Sequence, residues 1–441
     1  VRLFAFAALV VCSPLWSQNG LVPLTVLHTN DLHAHLQPDD HGLGGFAYVA
    51  GAIRDQREKC QACIYLNAGD LVQGTPVSTI YRGTPVYEIA NLMGIDVSTL
   101  GNHEFDYGWK QIQNFVKIAK FPVVSANVEN DAGGLLTGKG YAIKQVGSLR
   151  VAVIGVVLAD LKGNFSTAEQ VGPWNITRPV DAVRATLPLV KDKADIVIVL
   201  GHIHDDETDT ILREVPEVAL VVSGHDHRGY KEIKRYAGRY AVEAKSYGVE
   251  VGRVDLKYDL QSHKVTSAEW TRFPVDSKKI TPVPEVAALV AKWEAKVSKV
   301  VDVPIGEALH RMEKPEVRKL VEHAMAAAVG ADIGWVNTGN IRDVLPQGKL
   351  LARHAWNVLP FDNKIVVGKF KGSDIPSAIV KDQDHPLDPN REYTVAIPDF
   401  AAANQSSTDQ LSSKGLKFPK TGPLQRDALI DWIKKKKVIG E

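Results

Sequence analysis

Between Leu24 and about Lys257, short apolar runs rich in β-branched residues alternate with amphipathic stretches of helical period. The runs are "LTVLHT", "IYLNAG", "VVSANV", "RVAVIGVV", "DIVIVLGH" and "ALVVSGH", most of them bounded by Gly, Asn or Asp. This pattern predicts short strands with helices between them, and so a layered α/β domain. Residues with ligating side chains stand at the ends of these strands: Asp31, Asp70, Asn102, His202 and His225. A scaffold of this kind gathers its active site in the loops at one end of the sheet.

The pattern changes at Lys264–Pro284, which is polar and punctuated by Pro. "PEVAALVAKWEAKVSKVV" then places apolar residues at helical spacing behind a Pro suited to a first turn, and predicts an interdomain helix. Beyond it lie a helical stretch over Glu316–Val329, the apolar strands "DIGWVN", "NKIVVGKF" and "YTVAIP", and a closing helix in "LQRDALIDWIKKKKV". The expected division is a leader over 1–20, a first domain over 21–275, a linker and interdomain helix over 276–303, and a second α/β domain over 304–441.

Charge and cysteine usage then narrow the setting. With 52 basic and 51 acidic residues, the net charge of +1 gives no basis for nucleic acid as a partner. The first residues, "VRLFAFAALVVCSPLWSQNG", join an early positive charge to a short apolar run and then to small and polar residues. They read as a secretory signal peptide, so the mature chain is expected in a periplasmic or extracellular space. Val11 is bulky for a lipoprotein box, which argues against a lipid anchor on Cys12. No later apolar run reaches the roughly 18 residues of a membrane span. In an oxidising compartment Cys60 and Cys63 of "CQAC" are expected to form a structural disulfide.

Four strand-end motifs carry the candidate chemistry: "NDLHAH", "NAGDLVQGT", "LGNHEFDYG", and the pair "LGHIHDD" with "SGHDHRG". Together they supply Asp, Asn and His donors without a thiolate, a mixture suited to Zn, Mn, Fe or Co. Residues two apart in an extended strand end project to one side, which pairs Asp31 with His33 and His225 with His227. Asp70 closes a strongly apolar strand, where an unpaired carboxylate would be costly. Bridging two cations or capping a helix would each explain it.

The ordered set "HTNDLHAH", "NAGDLVQGTPVS", "LGNHEFDYG", "VVSANV", "GHIH" and "GHDH" resembles the calcineurin-like metallophosphoesterases, in particular the exported 5′-nucleotidase / UDP-sugar hydrolase branch. That resemblance implies a four-layer αββα sandwich followed by a second α/β, substrate-binding domain. It also implies two divalent metal ions. One would take Asp31, His33 and His227, the other Asn102, His202 and His225, with Asp70 between them. Water activated between two such ions, about 3.5–4 Å apart, would attack phosphorus in line. In the family pattern His103 forms a catalytic dyad with Asp106 and assists at the phosphoryl group or the leaving oxygen. His28 is expected to pack behind the strand end, His35 to stand by, and His204 with Asp205 and Asp206 to cap a helix.

The resemblance further implies that the second domain binds the nucleoside part of a nucleotide or related phosphoester substrate. "VNTGNIRD" resembles a glycine-rich signature in which Asn337 and Arg342 are kept while Thr338 and Asn340 replace glycines. Phe361 of "LPFDN" and Phe400 of "IPDFAAANQSS" match two aromatics that sandwich a base. The family's "GGDG" run, whose Asp receives ribose hydroxyls, is here "NQSS", which puts Ser406 at the acidic position. The alternatives are therefore another phosphomonoester, a cyclic or UDP-sugar diester, or a binding protein without catalysis.

Overall fold

A computed structural model describes residues 20–161, 167–383, 385–405, 411 and 415–440. The first domain holds two six-stranded sheets. In one, Leu21–Thr29, Cys63–Asn67, Val97–Thr99 and Val123–Val124 run parallel. In the other, Leu149–Val157, Ile196–His202, Val218–Gly224 and Arg239–Glu243 do the same. Parallel pairing brings the C-terminal ends of these strands to a common edge.

The alternation read from the sequence becomes a layer order. Leu24, Val26, Ile64, Leu66, Val151, Val153, Ile198, Leu200, Leu220 and Val222 form the core between the sheets. Their neighbours of opposite parity, such as Leu27 and Tyr65, face helices on the outside of the first sheet. Ala152, Ile154, Val197, Val199 and Val221 face helices Pro179–Val190 and Asp205–Glu214 outside the second. Strands covered on both faces must be apolar at successive positions, as these are. The result is an αββα sandwich.

Three elements depart from the expected pattern. "VVSANV" is not one strand: Val123–Val124 joins the first sheet, while Val128–Glu129 pairs with Asn175–Ile176 in a separate ribbon. Between them Asn127 does a strand's bonding with its side chain, donating to the Val157 carbonyl at 2.6 Å and accepting from the Val157 amide at 2.9 Å. The polar stretch after Lys264 begins with a strand, Lys264–Pro274, that pairs antiparallel with Glu250–Asp259 at the sheet edge. Edge strands carry polar residues readily because one side is open to water. Helix Pro284–Val301 lies where periodicity put it, and Val286, Val290, Val297 and Val301 pack into the first domain's core.

The second domain carries a four-stranded sheet of Ile333–Gly334, Glu392–Pro398, Lys364–Lys371 and Lys420–Leu424, and a three-stranded sheet that includes Pro304–Ala308. Of "DIGWVN" only Ile333–Gly334 pairs as a strand. Helices Lys314–Val329 and Gln425–Lys436 cover the sheets. Cys60 and Cys63 are joined as a disulfide with their Cα atoms 6.1 Å apart. No helix among the described residues is long and apolar enough to cross a membrane.

The two large sheets meet closely at Gly155, whose carbonyl accepts from the Ala126 amide at 2.7 Å. A Cβ at Gly155 would stand 2.1 Å from the Val124 carbonyl oxygen. Gly155→Ala is therefore expected to cost about 1–3 kcal/mol by overpacking. Thermal denaturation should register a lowered midpoint, and an unchanged midpoint would mean the sheets yield at this contact.

Candidate metal centre

After Thr29 the backbone does not continue as a strand. Asp31, His33 and Ala34 adopt left-handed φ values of 51°, 45° and 53°, Asp70 one of 52°, and His225 and His227 values of 90° and 57°. Each such non-glycine residue costs on the order of 1 kcal/mol or more and persists only where its surroundings hold it. Here the amides of Asp31, His33 and Ala34 donate to the carbonyls of Gly69, Asp70 and Leu71 at 3.1, 2.9 and 2.8 Å, zipping two motif loops together. The same-side argument from strand parity is thus corrected. Asp31 and His33, and likewise His225 and His227, converge through turns rather than along extended strand ends.

The zipped loops aim their side chains at one point. His33 Nε2 lies 3.0 Å from His227 Nε2 and 3.6 Å from Asp70 Oδ2, and His227 Nε2 lies 3.2 Å from Asp31 Oδ1. On the other side of Asp70, its Oδ2 is 3.1 Å from His202 Nε2. Asn102 Oδ1 is 3.1 Å from that same nitrogen and 3.0 Å from His225 Nδ1. Asp70 is the group common to both halves. Asp31, His33, Asp70 and His202 are almost fully buried.

Partners outside this cluster orient it. Asn30 grips the Ala244 backbone at both ends of its amide and donates to Asp31 Oδ2 at 2.6 Å. The Ala68 carbonyl accepts from His202 Nδ1 at 2.8 Å, which leaves Nε2 as the lone-pair nitrogen facing the site. Glu104, fully buried, accepts from the amides of Gly101, Asp70 and Leu71 at 2.5, 3.0 and 2.9 Å. It ties the "NAGD" and "GNHE" loops together, a role that sequence inspection missed although the residue sits inside a quoted motif. The loops approach so closely that a Cβ on Gly101 would stand 2.1 Å from Asp70 Oδ1.

Electrostatics agree with a cation site. Burial opposes charge on Asp70, but His202 and His103 outweigh it and hold the carboxyl well below the ordinary range. Burial pushes His33 well down, and burial with His202 and His204 pushes His225 down to about 3, so both imidazoles are neutral and free to ligate. Burial opposes the proton on His202 as well, yet Asp70 and Asp31 raise its pKa to about 10, the mark of a pocket that favours positive charge. Asp31, His33 and His227 bring ligand atoms within 4.8 Å of one another, and so do Asp31, Asp70 and His202. The donor set fits divalent cations of the Zn, Mn, Fe or Co type.

His103 stands beside the cluster. Its Nδ1 is 2.9 Å from Asp106 Oδ2, and its amide donates to Asp70 Oδ1 at 2.9 Å. Burial disfavours its charge, but Asp106 and Asp70 prevail and raise its pKa. Of the other histidines, His28 is buried with neither ring nitrogen paired and stacks on Trp270 at 5.2 Å. His35 packs against Tyr247 with the ring centroids 4.2 Å apart and the planes tilted by 31°. His204 precedes helix Asp205–Glu214, but its ring does not cap it. The ring lies between Asp160 and Asp226, at 3.4 and 3.6 Å, while Glu207 accepts from the His204 amide.

A cavity of about 520 Å³ opens over the cluster. Asp70, Asn102, His103 and Asp106 line it from the first domain, and Asn337, Arg342, Phe361 and Phe400 from the second. The Phe361 ring stacks on His103 at 5.6 Å, with the Arg342 guanidinium 5.8 Å from its centroid. Asn337 Oδ1 is buried without a partner. Asn340 uses its side chain where a glycine was expected, donating to Gln425 Oε1 at 2.7 Å and accepting from Asn363 at 3.3 Å. Ser406 lies outside the described residues.

Residues 24–229 match the calcineurin-like phosphoesterase family, and residues 300–381 match the 5′-nucleotidase C-terminal domain. The chain is a metal-dependent phosphoester hydrolase. It carries both of these domains, and in that it is similar to the 5′-nucleotidases. Protein UshA of Yersinia enterocolitica is 25% identical over 95% of this chain and 92% of its own length. A probable 5′-nucleotidase of Treponema pallidum is 31% identical over 59% of this chain and 49% of its own length. The crystal structure of a 5′-nucleotidase precursor from Thermus thermophilus shares the fold with a TM-score of 0.82, covering 95% of this chain and 97% of that one at 22% identity.

Glu104→Ala removes the acceptor common to three loop amides, leaving them buried and unpaired. Metal analysis of the Mn-loaded variant should find less than about half the wild-type content, in line with the losses seen when outer partners of a metal site are removed. Full retention would show that the loops hold their shape without it.

Proposed function

We propose that this chain is an exported phosphohydrolase that removes phosphate from nucleotides by 5′-nucleotidase chemistry with two divalent ions. The observation that carries this reading is that one cavity joins the ligand cluster and the His103–Asp106 pair to the Asn337, Arg342, Phe361 and Phe400 set. Asp31, His33 and His227 would hold one ion and Asn102, His202 and His225 the other, with Asp70 shared. Such ions polarise phosphoryl oxygens and lower the pKa of water towards neutrality.

The chain's own residues then do the following. Asp106 accepts a hydrogen bond from His103 Nδ1–H and supports its positive charge, which leaves Nε2–H to donate to a phosphoryl or leaving oxygen. Arg342 offers a planar fork for phosphate oxygens. Phe361 and Phe400 offer faces for a base, each stack being worth roughly 1–3 kcal/mol. The unpaired Asn337 Oδ1 invites a hydroxyl or amino donor. UshA and the probable 5′-nucleotidase support the nucleotide reading, and the Cys60–Cys63 disulfide supports an oxidising compartment. A cyclic or UDP-sugar diester is the second reading, favoured by Ser406 at the position where an acidic residue would meet ribose.

His103→Ala should keep metal content near wild type while lowering turnover of AMP by about 10²–10⁴. Loss of the metals from that variant would make His103 a ligand instead, as its place within 4.8 Å of His33 and Asp70 would then imply. Separately, Phe361→Ala and Phe400→Ala should raise KM for AMP by about tenfold or more and change KM for p-nitrophenyl phosphate much less. Equal effects on the two substrates would remove the stacking argument.

A further inference from the structure

Helix Gln425–Lys436 begins with two polar residues that the fold buries, Gln425 at 1% exposure and Arg426 at 2%. Neither was singled out by any motif. Arg426 Nη1 donates to the carbonyls of Leu359 and Phe361 at 3.1 and 3.4 Å, and Nη2 donates to Asp362 Oδ1 at 2.6 Å. Its guanidinium lies over Trp356, 3.6 Å from the ring centroid. The carbonyl in between, that of Pro360, accepts from Thr79 Oγ1 at 3.0 Å and Gln73 Nε2 at 3.3 Å, both in the first domain. Gln425 continues the grip: its amide donates to the Asn363 carbonyl at 3.0 Å, and its Oε1 accepts from Asn340.

A charge buried this deeply is an expensive way to fill space beside a tryptophan. Arg426 Nε has no partner, and the one carboxylate it meets, Asp362, is largely exposed. A hydrocarbon side chain would pack on Trp356 without that desolvation cost. What it could not supply is a rigid fork that fixes two carbonyls flanking Pro360. The carbonyls so fixed belong to the loop that sets Phe361 over His103 on the cavity wall. Arg426 itself is not among the residues lining that cavity.

We propose that Arg426, with Gln425 beside it, is a positioning residue for substrate recognition, holding the Leu359–Asn363 loop so that the Phe361 ring is preorganised at the cavity. This rests on the nucleotide reading for its consequence in binding, though not for the loop placement. A group acting only through Phe361 must lose its effect when that ring is removed, so a double-mutant cycle isolates the role.

In the Mn-loaded full chain, Arg426→Met should raise KM for AMP about tenfold with kcat changed less than about threefold, and add less than about twofold in the Phe361→Ala background. Arg426→Lys should restore part of the loss. Hydrogen exchange at the backbone bonds that hold the loop, Leu359 amide to Ala355 carbonyl and Gln425 amide to Asn363 carbonyl, should quicken by about tenfold or more in Arg426→Met while strand Lys364–Lys371 keeps its protection. An equal rise in KM in both backgrounds, or unchanged loop exchange, overturns the proposal. Should Arg426→Met fail to fold, Arg426→Lys and Asp362→Ala carry the same exchange measurement, and wild-type loop protection in both overturns it. Wild-type protein inert towards AMP would overturn the nucleotide reading alone, because loop exchange still decides the positioning role.

Discussion

Asp70 is a carboxylate with 1% exposure, wedged between the imidazoles of His33 and His202. Burying such a group is tolerable only if positive charge is held permanently beside it. The local architecture follows from that constraint. Two loops zip together through three backbone hydrogen bonds, several residues accept left-handed backbone, and Gly101 leaves no room for a side chain against the carboxylate. The two sheets contribute from opposite sides, Asp31, Asp70 and Asn102 from loops of the first and His202, His225 and His227 from the second.

The second domain adds aromatic and polar groups to the cavity over this electrostatic core. Its aromatic, amide and guanidinium side chains share one cavity with His103 and Asp106, so in the proposed function phosphate chemistry and recognition of the rest of the substrate would be coupled through the interface. The coupling is tangible at Pro360, whose carbonyl is held by the first domain while Arg426 holds the carbonyls on either side. Buried polar networks of this sort specify geometry more than they add stability.

Much of this was legible in the sequence because strand ends and donor types are local properties. The alternation of Val151, Ala152, Val153 and Ile154 reports burial on both faces directly, and the layers follow from it. Helix Pro284–Val301 declares itself by spacing and by its Pro. What escaped was non-local or ran against propensity. No periodic signal marks a left-handed Asp31 or His33, so strand parity assigned sound pairs for an unsound reason. Asn127 breaks "VVSANV" by replacing backbone partners with its own amide, and the polar edge strand Lys264–Pro274 looks like a linker until its partner is known. Glu104 and Arg426 act on carbonyls and amides far from their own elements, which only the folded chain brings near.

In the proposed function Asp70 would sit between two cations. Anomalous diffraction from a crystal of the Mn-loaded protein tests it directly. Two peaks flanking the Asp70 carboxylate are predicted, one against Asp31, His33 and His227 and the other against Asn102, His202 and His225. A single peak, or a second one displaced to the His204 and Asp226 side, would contradict the account.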